Sequence, residues 1–207
     1  MWIFLLDVNF MALKIGITGG IGVGKSVVTK IFKVLGVPTY DADKEAKDIM
    51  IKNDIVRNAL ISTFGSEVYF EDGSLNREWL GKRVFSNSEE LKKLNAIVHP
   101  AVIQDADDWA DSQTSTYSIK EAALLFESGS YKKLDINILV VSPLELRIQR
   151  VMERDRVDRE EVLRRISKQM PEEEKEKLAD YLIYNDVEHS LIDQVMYLHQ
   201  KFNSAKK

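Results

Sequence analysis

Six positions from Leu13 to Thr18 (LKIGIT) form a short β-prone run that leads straight into glycines, and the residues from Val27 to Leu35 then take up a helical spacing of apolar positions. Gly36 stops that helix, and Val37 to Tyr40 reads as a second short strand. From Lys44 to Ala110 the pattern is mostly helical, broken at Phe64-Gly65 and Asp72-Gly73. Tyr117 to Leu125 and Ile136 to Val141 read as further strands, the second an unbroken apolar run of the kind buried in parallel sheets. Pro143 opens a long charged helical stretch reaching Lys177. Tyr181 to Tyr184 forms a last strand, and an amphipathic helix closes the chain through Phe202.

Strands separated by helices predict an α/β protein with a mostly parallel five-stranded sheet between helical layers. The helical stretch between the second and third strands is too large for a simple crossover, so it reads as an insertion that binds substrate. The expected organisation is a nucleotide-binding core from 11–50, 115–145 and 178–207, a helical substrate subdomain over 51–114, a lid over 146–177 and an extension over 1–10. Strand order does not follow from the pattern.

The chain has 207 residues, 44% of them hydrophobic and 30% charged, which is ordinary globular usage and excludes disordered and collagen-like classes. A net charge of −4 argues against nucleic-acid coating or a polybasic membrane anchor. There is no cysteine, so disulfides, thiolate metal sites and cysteine nucleophiles are excluded, and a reducing, cytoplasmic setting is expected. Met1 to Phe10 is apolar but interrupted by Asp7 and Asn9, lacks a basic leader and is too short to span a bilayer. Neither nucleic acid, membrane nor an obligatory protein partner is expected.

Gly19-Gly20-Ile21-Gly22-Val23-Gly24-Lys25-Ser26 satisfies G-x-x-x-x-G-K-[ST] between a strand and a helix. Such a loop turns several backbone N–H groups toward one anion, and the helix N-terminus adds partial positive charge. Gly20, Ile21, Gly22, Val23, Gly24, Lys25 and Ser26 are therefore the expected triphosphate cradle for ATP, with the Ser26 hydroxyl on Mg²⁺. A guanine-reading N-K-x-D, a switch D-x-x-G and a transporter-type LSGGQ are all missing from the sequence, which leaves a small-molecule kinase. Asp41-Ala42-Asp43 follows the second strand. One of these carboxylates could accept a proton from an acceptor hydroxyl, or Asp41 could cap the next helix with Asp43 in its first turn.

Taken in order, G-I-T-G-G-I-G-V-G-K-S, D-A-D, D-G-S-L-N-R (Asp72 to Arg77), H-P (His99-Pro100), L-L-F-E (Leu124 to Glu127) and a later R-D…Q…A-D…N series resemble the dephospho-CoA kinase family. The likeness runs over nearly the whole chain from Leu13. It implies a P-loop kinase fold and transfer of the ATP γ-phosphate to the ribose 3′-hydroxyl of dephospho-CoA, with Asp43 as base and Asp41 orienting the site. Arg77 and His99 match positions expected to contact dephospho-CoA, although Arg77 could form a surface salt bridge and His99 could be a structural cap. Glu121 and Glu127 bracket the third strand and could hold Mg²⁺ through water.

Arg147, Arg150 and Arg154 are spaced to share one helical face, and Arg154, Asp155, Arg159, Arg165 and Gln169 match the family's lid. The resemblance puts Arg154 on the transferring phosphoryl group, Arg150 behind it and Asn185 at the adenine pocket. Two positions depart from the family pattern: Ala123 stands where a proline is usual and Arg147 where glutamine is common. The rival expectations are another small-molecule or nucleoside-monophosphate kinase of the same fold, and a regulatory protein that binds ATP without an acceptor.

Overall fold

The computed structural model describes residues 12–85 and 87–204. The expected extension at Met1 to Phe10 lies outside them. Five parallel strands form one sheet: β1 (Leu13–Thr18), β2 (Thr39–Asp41), β3 (Tyr117–Glu121), β4 (Ile136–Val141) and β5 (Tyr181–Tyr184), in the order β2-β3-β1-β4-β5. β1 is central, and its Ile15 and Ile17 are completely buried. The register pairs Asp41 with Glu121, Glu121 with Ile17 and Val141 with Tyr184. The carboxyl ends of the strands therefore finish on one edge, where parallel sheets place their ligands.

Helices α1 (Lys25–Val34) and α9 (Leu191–Ser204) cover one face, packing Val28, Phe32, Val195, Leu198 and Phe202 on Ile15, Ile17, Ile138 and Val140. A second apolar core lies among α2 (Ala42–Lys52), α3 (Asp54–Phe64), α4 (Arg77–Phe85) and α5 (Ser88–Asp111) and joins the opposite face through Ala122 and Leu125. Sequence breaks at Gly65 and at Asp72-Gly73 both appear, and Gly65 has the positive φ of 98° that glycine permits. Asn53 and Asn87 mark further breaks by capping α3 and α5 with their side chains. α5 runs straight through Pro100, so the H-P pair sits mid-helix and His99 caps nothing.

The charged stretch after Pro143 is three helices rather than one: α6 (Leu144–Asp155), α7 (Arg159–Ser167) and α8 (Glu172–Glu176). Arg156 adopts φ 55°, ψ 43°, which ends α6, while Asp158 caps α7 and Pro171 opens α8. The third strand stops at Glu121, and the chain turns at Ala122 rather than continuing to Leu125. Among the described residues, no helix is long and apolar enough to cross a membrane.

Candidate active site

The loop after β1 is pressed against its neighbours from several sides. Gly22 and Gly24 have φ values of 80° and 87°. A Cβ at Gly22 would lie 2.5 Å from the Arg147 carbonyl oxygen, and one at Gly24 would collide with the Asn185 side-chain amide. These two glycines are thus required by backbone conformation and by close approach together. Asn185 Nδ2 donates to the Val23 carbonyl at 2.7 Å. The Ile21 peptide is held at both ends: its N–H donates to Gln169 Oε1 at 2.9 Å and its carbonyl accepts from Arg147 Nε at 3.0 Å. No side chain caps α1, so the Lys25 and Ser26 amides at its start remain available to an anion. Lys25 Nζ donates to the Gly19 carbonyl at 2.8 Å. Burial lowers its pKa, and Glu121 and Asp43 oppose that shift.

The structure shows the helix-cap arrangement of the D-A-D segment. Asp41 is exposed and caps α2, Oδ1 accepting from Lys44 N–H at 3.0 Å. Asp43 lies in the first turn of α2 and lines a pocket of about 420 Å³ together with Lys25, Ser26, Glu121 and Arg154. It also lines a smaller cavity, so the residue borders both spaces. Burial raises the Asp43 pKa; Asp41 adds to the shift, and Lys25 and a hydrogen bond from the Ala123 N–H oppose it. Glu121, at the end of β3, is likewise raised by burial, with the nearby Thr29 side chain opposing the shift. The pocket thus gathers a half-buried ammonium and two carboxylates whose pKa values are all shifted, an arrangement of the kind found at functional sites.

The three arginines of α6 have separate surroundings. Arg147 is buried, its Nε on the Ile21 carbonyl and Nη1 on Glu172 at 2.6 Å, so it braces the loop. Arg150 lines the pocket, with Nη1 3.1 Å from Ser142 Oγ and 3.4 Å from the Asn185 carbonyl. Arg154 also lines it; its guanidinium is forked on Asp155 at 2.7 and 3.0 Å and its side chain is 63% exposed. Arg159 lies outside the pocket, paired with Glu145, whereas Arg165 pairs with Asp155 and Glu161. Asn185 stands against the loop and the end of β4.

Two of the expected residues stand outside the phosphate pocket. Glu127 does not line the phosphate pocket; it pairs with Lys175 Nζ at 2.9 Å and accepts the Met170 N–H at 3.2 Å. Arg77 is exposed at the start of α4, in the electrostatic neighbourhood of Asp48. His99 reaches the small cavity beside Asp43, where burial and Lys120 lower its pKa. Thr29, Lys120 and Lys175 carry parts of this arrangement that the motifs did not reveal. Lys120 alone had a signal: it is a charged residue inside a strand, in a sheet that buries both faces.

The oxygen donors of the pocket are of the hard kind that suits Mg²⁺. Ser26, Glu121 and Asp43 line one pocket, and among the described residues no group of three or more His, Cys, Asp and Glu side chains forms a metal cage. That donor set fits an ion that keeps most of its coordination for waters and substrate phosphates.

A family model described as dephospho-CoA kinase matches residues 13–190. The chain belongs to the dephospho-CoA kinase family. A Bacteroides fragilis dephospho-CoA kinase is 39% identical over 198 residues, covering 93% of this chain and 96% of that one. The dephospho-CoA kinase structure from Campylobacter jejuni superposes with a TM-score of 0.69 at 29% identity, covering 94% and 98% of the two chains. A Thermus thermophilus crystal structure gives 0.77 at 35% identity, covering 95% and 98%. Membership in this family brings ATP as co-substrate, and the P-loop pocket is where the fold offers it a place.

Proposed function

We propose that this protein transfers the γ-phosphoryl group of ATP to the ribose 3′-hydroxyl of dephospho-CoA, giving coenzyme A and ADP. Family membership names the reaction; the observation that carries the mechanism is Asp43 at the junction of the phosphate pocket and the adjoining cavity. The triphosphate lies along the Gly20–Ser26 backbone with Lys25 released from Gly19 to the β- and γ-phosphates. Mg²⁺, when bound with ATP, supplies charge neutralisation, and Ser26 together with Glu121, directly or through water, is the donor set for it. Asp43, kept in place by the Ala123 N–H, takes the proton of the attacking hydroxyl. Arg154 turns from Asp155 to the transferring group, and Arg150 keeps the Asn185 segment and the loop together around the nucleotide. Asp41 shapes the site by fixing the start of α2, and His99 and Arg77 serve the acceptor. The subdomain over 51–114 and the lid over 146–177 frame these roles, and the absence of cysteine agrees with a cytoplasmic reaction.

The test is a phosphotransfer assay with purified protein, ATP and magnesium, comparing dephospho-CoA with AMP, CMP and shikimate. A strong preference for dephospho-CoA is expected. Preference for any of the others would assign the chain to a different small-molecule kinase, and acceptor-independent ATP hydrolysis alone would support a regulatory protein.

A further inference from the structure

We propose that the small cavity beyond Asp43 seats the adenine base of the acceptor, and that Lys120 is the residue that reads it. This rests on the acceptor assigned above. The base and the 3′-hydroxyl are substituents of one ribose, so a hydroxyl held at Asp43 leaves the base only one sugar ring away. Asp43 borders two spaces. One is polar and belongs to the triphosphate. The other, of about 90 Å³, has walls of Ala42 and Ala46 from α2, Val102 and Ile103 from α5, and Leu124. Small and branched apolar side chains on opposed elements leave an open-mouthed slot that takes one edge of a flat heterocycle, the rest of the base lying at its mouth, with the apolar lining and few polar groups usual for a small-molecule site.

The polar groups of the slot point the same way. Ser128 and Ser130 already have the Leu125 carbonyl as acceptor, at 3.3 and 3.4 Å. Lys120 is different: it is only 7% exposed, and among the described residues no side chain or carbonyl makes a hydrogen bond or ion pair with it. The carboxylate that influences it, Asp107, is itself held by Lys133 at 2.7 Å. Lys120 lines the slot with no protein partner for its ammonium, and a lysine kept only for packing would be better replaced by an apolar side chain. A ring nitrogen of adenine is the acceptor it lacks. A phosphate in the same place would have to give up its hydration among apolar walls for one ammonium and the neighbouring His99.

The experiment uses Lys120→Met and Ala46→Leu, the first removing the donor and the second filling the slot. The acceptors are dephospho-CoA and an analogue with uracil in place of adenine but the same ribose, diphosphate and pantetheine arm. The wild type should prefer the adenine acceptor. Each variant should raise the KM for dephospho-CoA at least about tenfold, leave the KM for ATP unchanged and narrow the adenine-over-uracil preference. If Lys120→Met weakens both acceptors equally, the lysine binds the shared diphosphate and the proposal fails. It fails too if Ala46→Leu leaves the KM for dephospho-CoA unchanged while its melting temperature shows that it is folded. A wild type inactive on dephospho-CoA would instead overturn the acceptor assignment itself.

Discussion

Replacing Asp43 by Asn isolates the proposed proton acceptor with little change of shape. The new carboxamide can still accept the Ala123 N–H, so the start of α2 should hold its position. What disappears is the basic oxygen of a residue that borders both spaces, and loss of a positioned general base costs about 10²–10⁴-fold in turnover. Stability should move the other way. Burial outweighs Lys25 and keeps the Asp43 pKa above the ordinary aspartate range, so the folded protein binds that proton more tightly than the unfolded chain. The ionised carboxylate therefore costs stability at neutral pH, and the cost fades as pH falls through the raised folded value. Asn carries no such charge. The variant should melt no lower than the wild type at neutral pH, with the difference shrinking toward pH of about 4. Single-turnover transfer by rapid quench, ATP binding by fluorescence and thermal melts at the two pH values give the three readings. Near-normal transfer would remove Asp43 from the role of base. A melting temperature well below wild type at neutral pH would show that the carboxylate is structural.

Three other substitutions probe the surrounding machinery. Lys25→Ala should weaken ATP binding at least about tenfold and reduce turnover with it, since a charge-assisted contact to the phosphates is lost; unchanged values in both titration and kinetics would contradict the cradle. Gly24→Ala forces a side chain into αL backbone against the Asn185 amide, so nucleotide binding should collapse and the melting temperature fall; an intact ATP titration would mean the loop has room the structure does not give it. Glu127→Gln leaves the Lys175 ammonium, 2% exposed, without its carboxylate and should cost about 3 kcal/mol in denaturant unfolding, with most of it recovered in the Glu127→Gln/Lys175→Met double variant. A single variant as stable as the wild type would refute that pairing.

The parts of the site legible in the sequence are those made by neighbours along the chain. The glycine spacing from Gly19 to Gly24 and its lysine and serine are one turn entering one helix, and Asp41 and Asp43 fall one strand end away. The parts that were not legible depend on chain segments meeting late. Gln169 reaches the Ile21 N–H across 148 positions, and nothing in a helical pattern announces that pairing. Arg147 shares a spacing with Arg150 and Arg154, yet it lies over the loop backbone and is buried there, because helical phase fixes direction but not the neighbour. Glu127 follows the third strand as a metal-bearing acid would, but the chain turns at Ala122 and sends it to Lys175 instead. The strands themselves were located by their apolar runs, whereas the order β2-β3-β1-β4-β5 is set by crossovers that leave no local mark. The single charged run after Pro143 hid two interruptions, since α6 ends at Arg156 and α7 at Lys168 by backbone conformation rather than by any change in polarity.

The most direct measurement is the position of the transferred phosphate. Dephospho-CoA incubated with the protein, magnesium and ATP labelled in the γ-phosphoryl group should yield coenzyme A carrying the label on the ribose 3′-oxygen, together with one ADP per product, as read by phosphorus NMR and mass spectrometry. Label found only in inorganic phosphate, or dephospho-CoA recovered unchanged while ATP is consumed, would contradict the account.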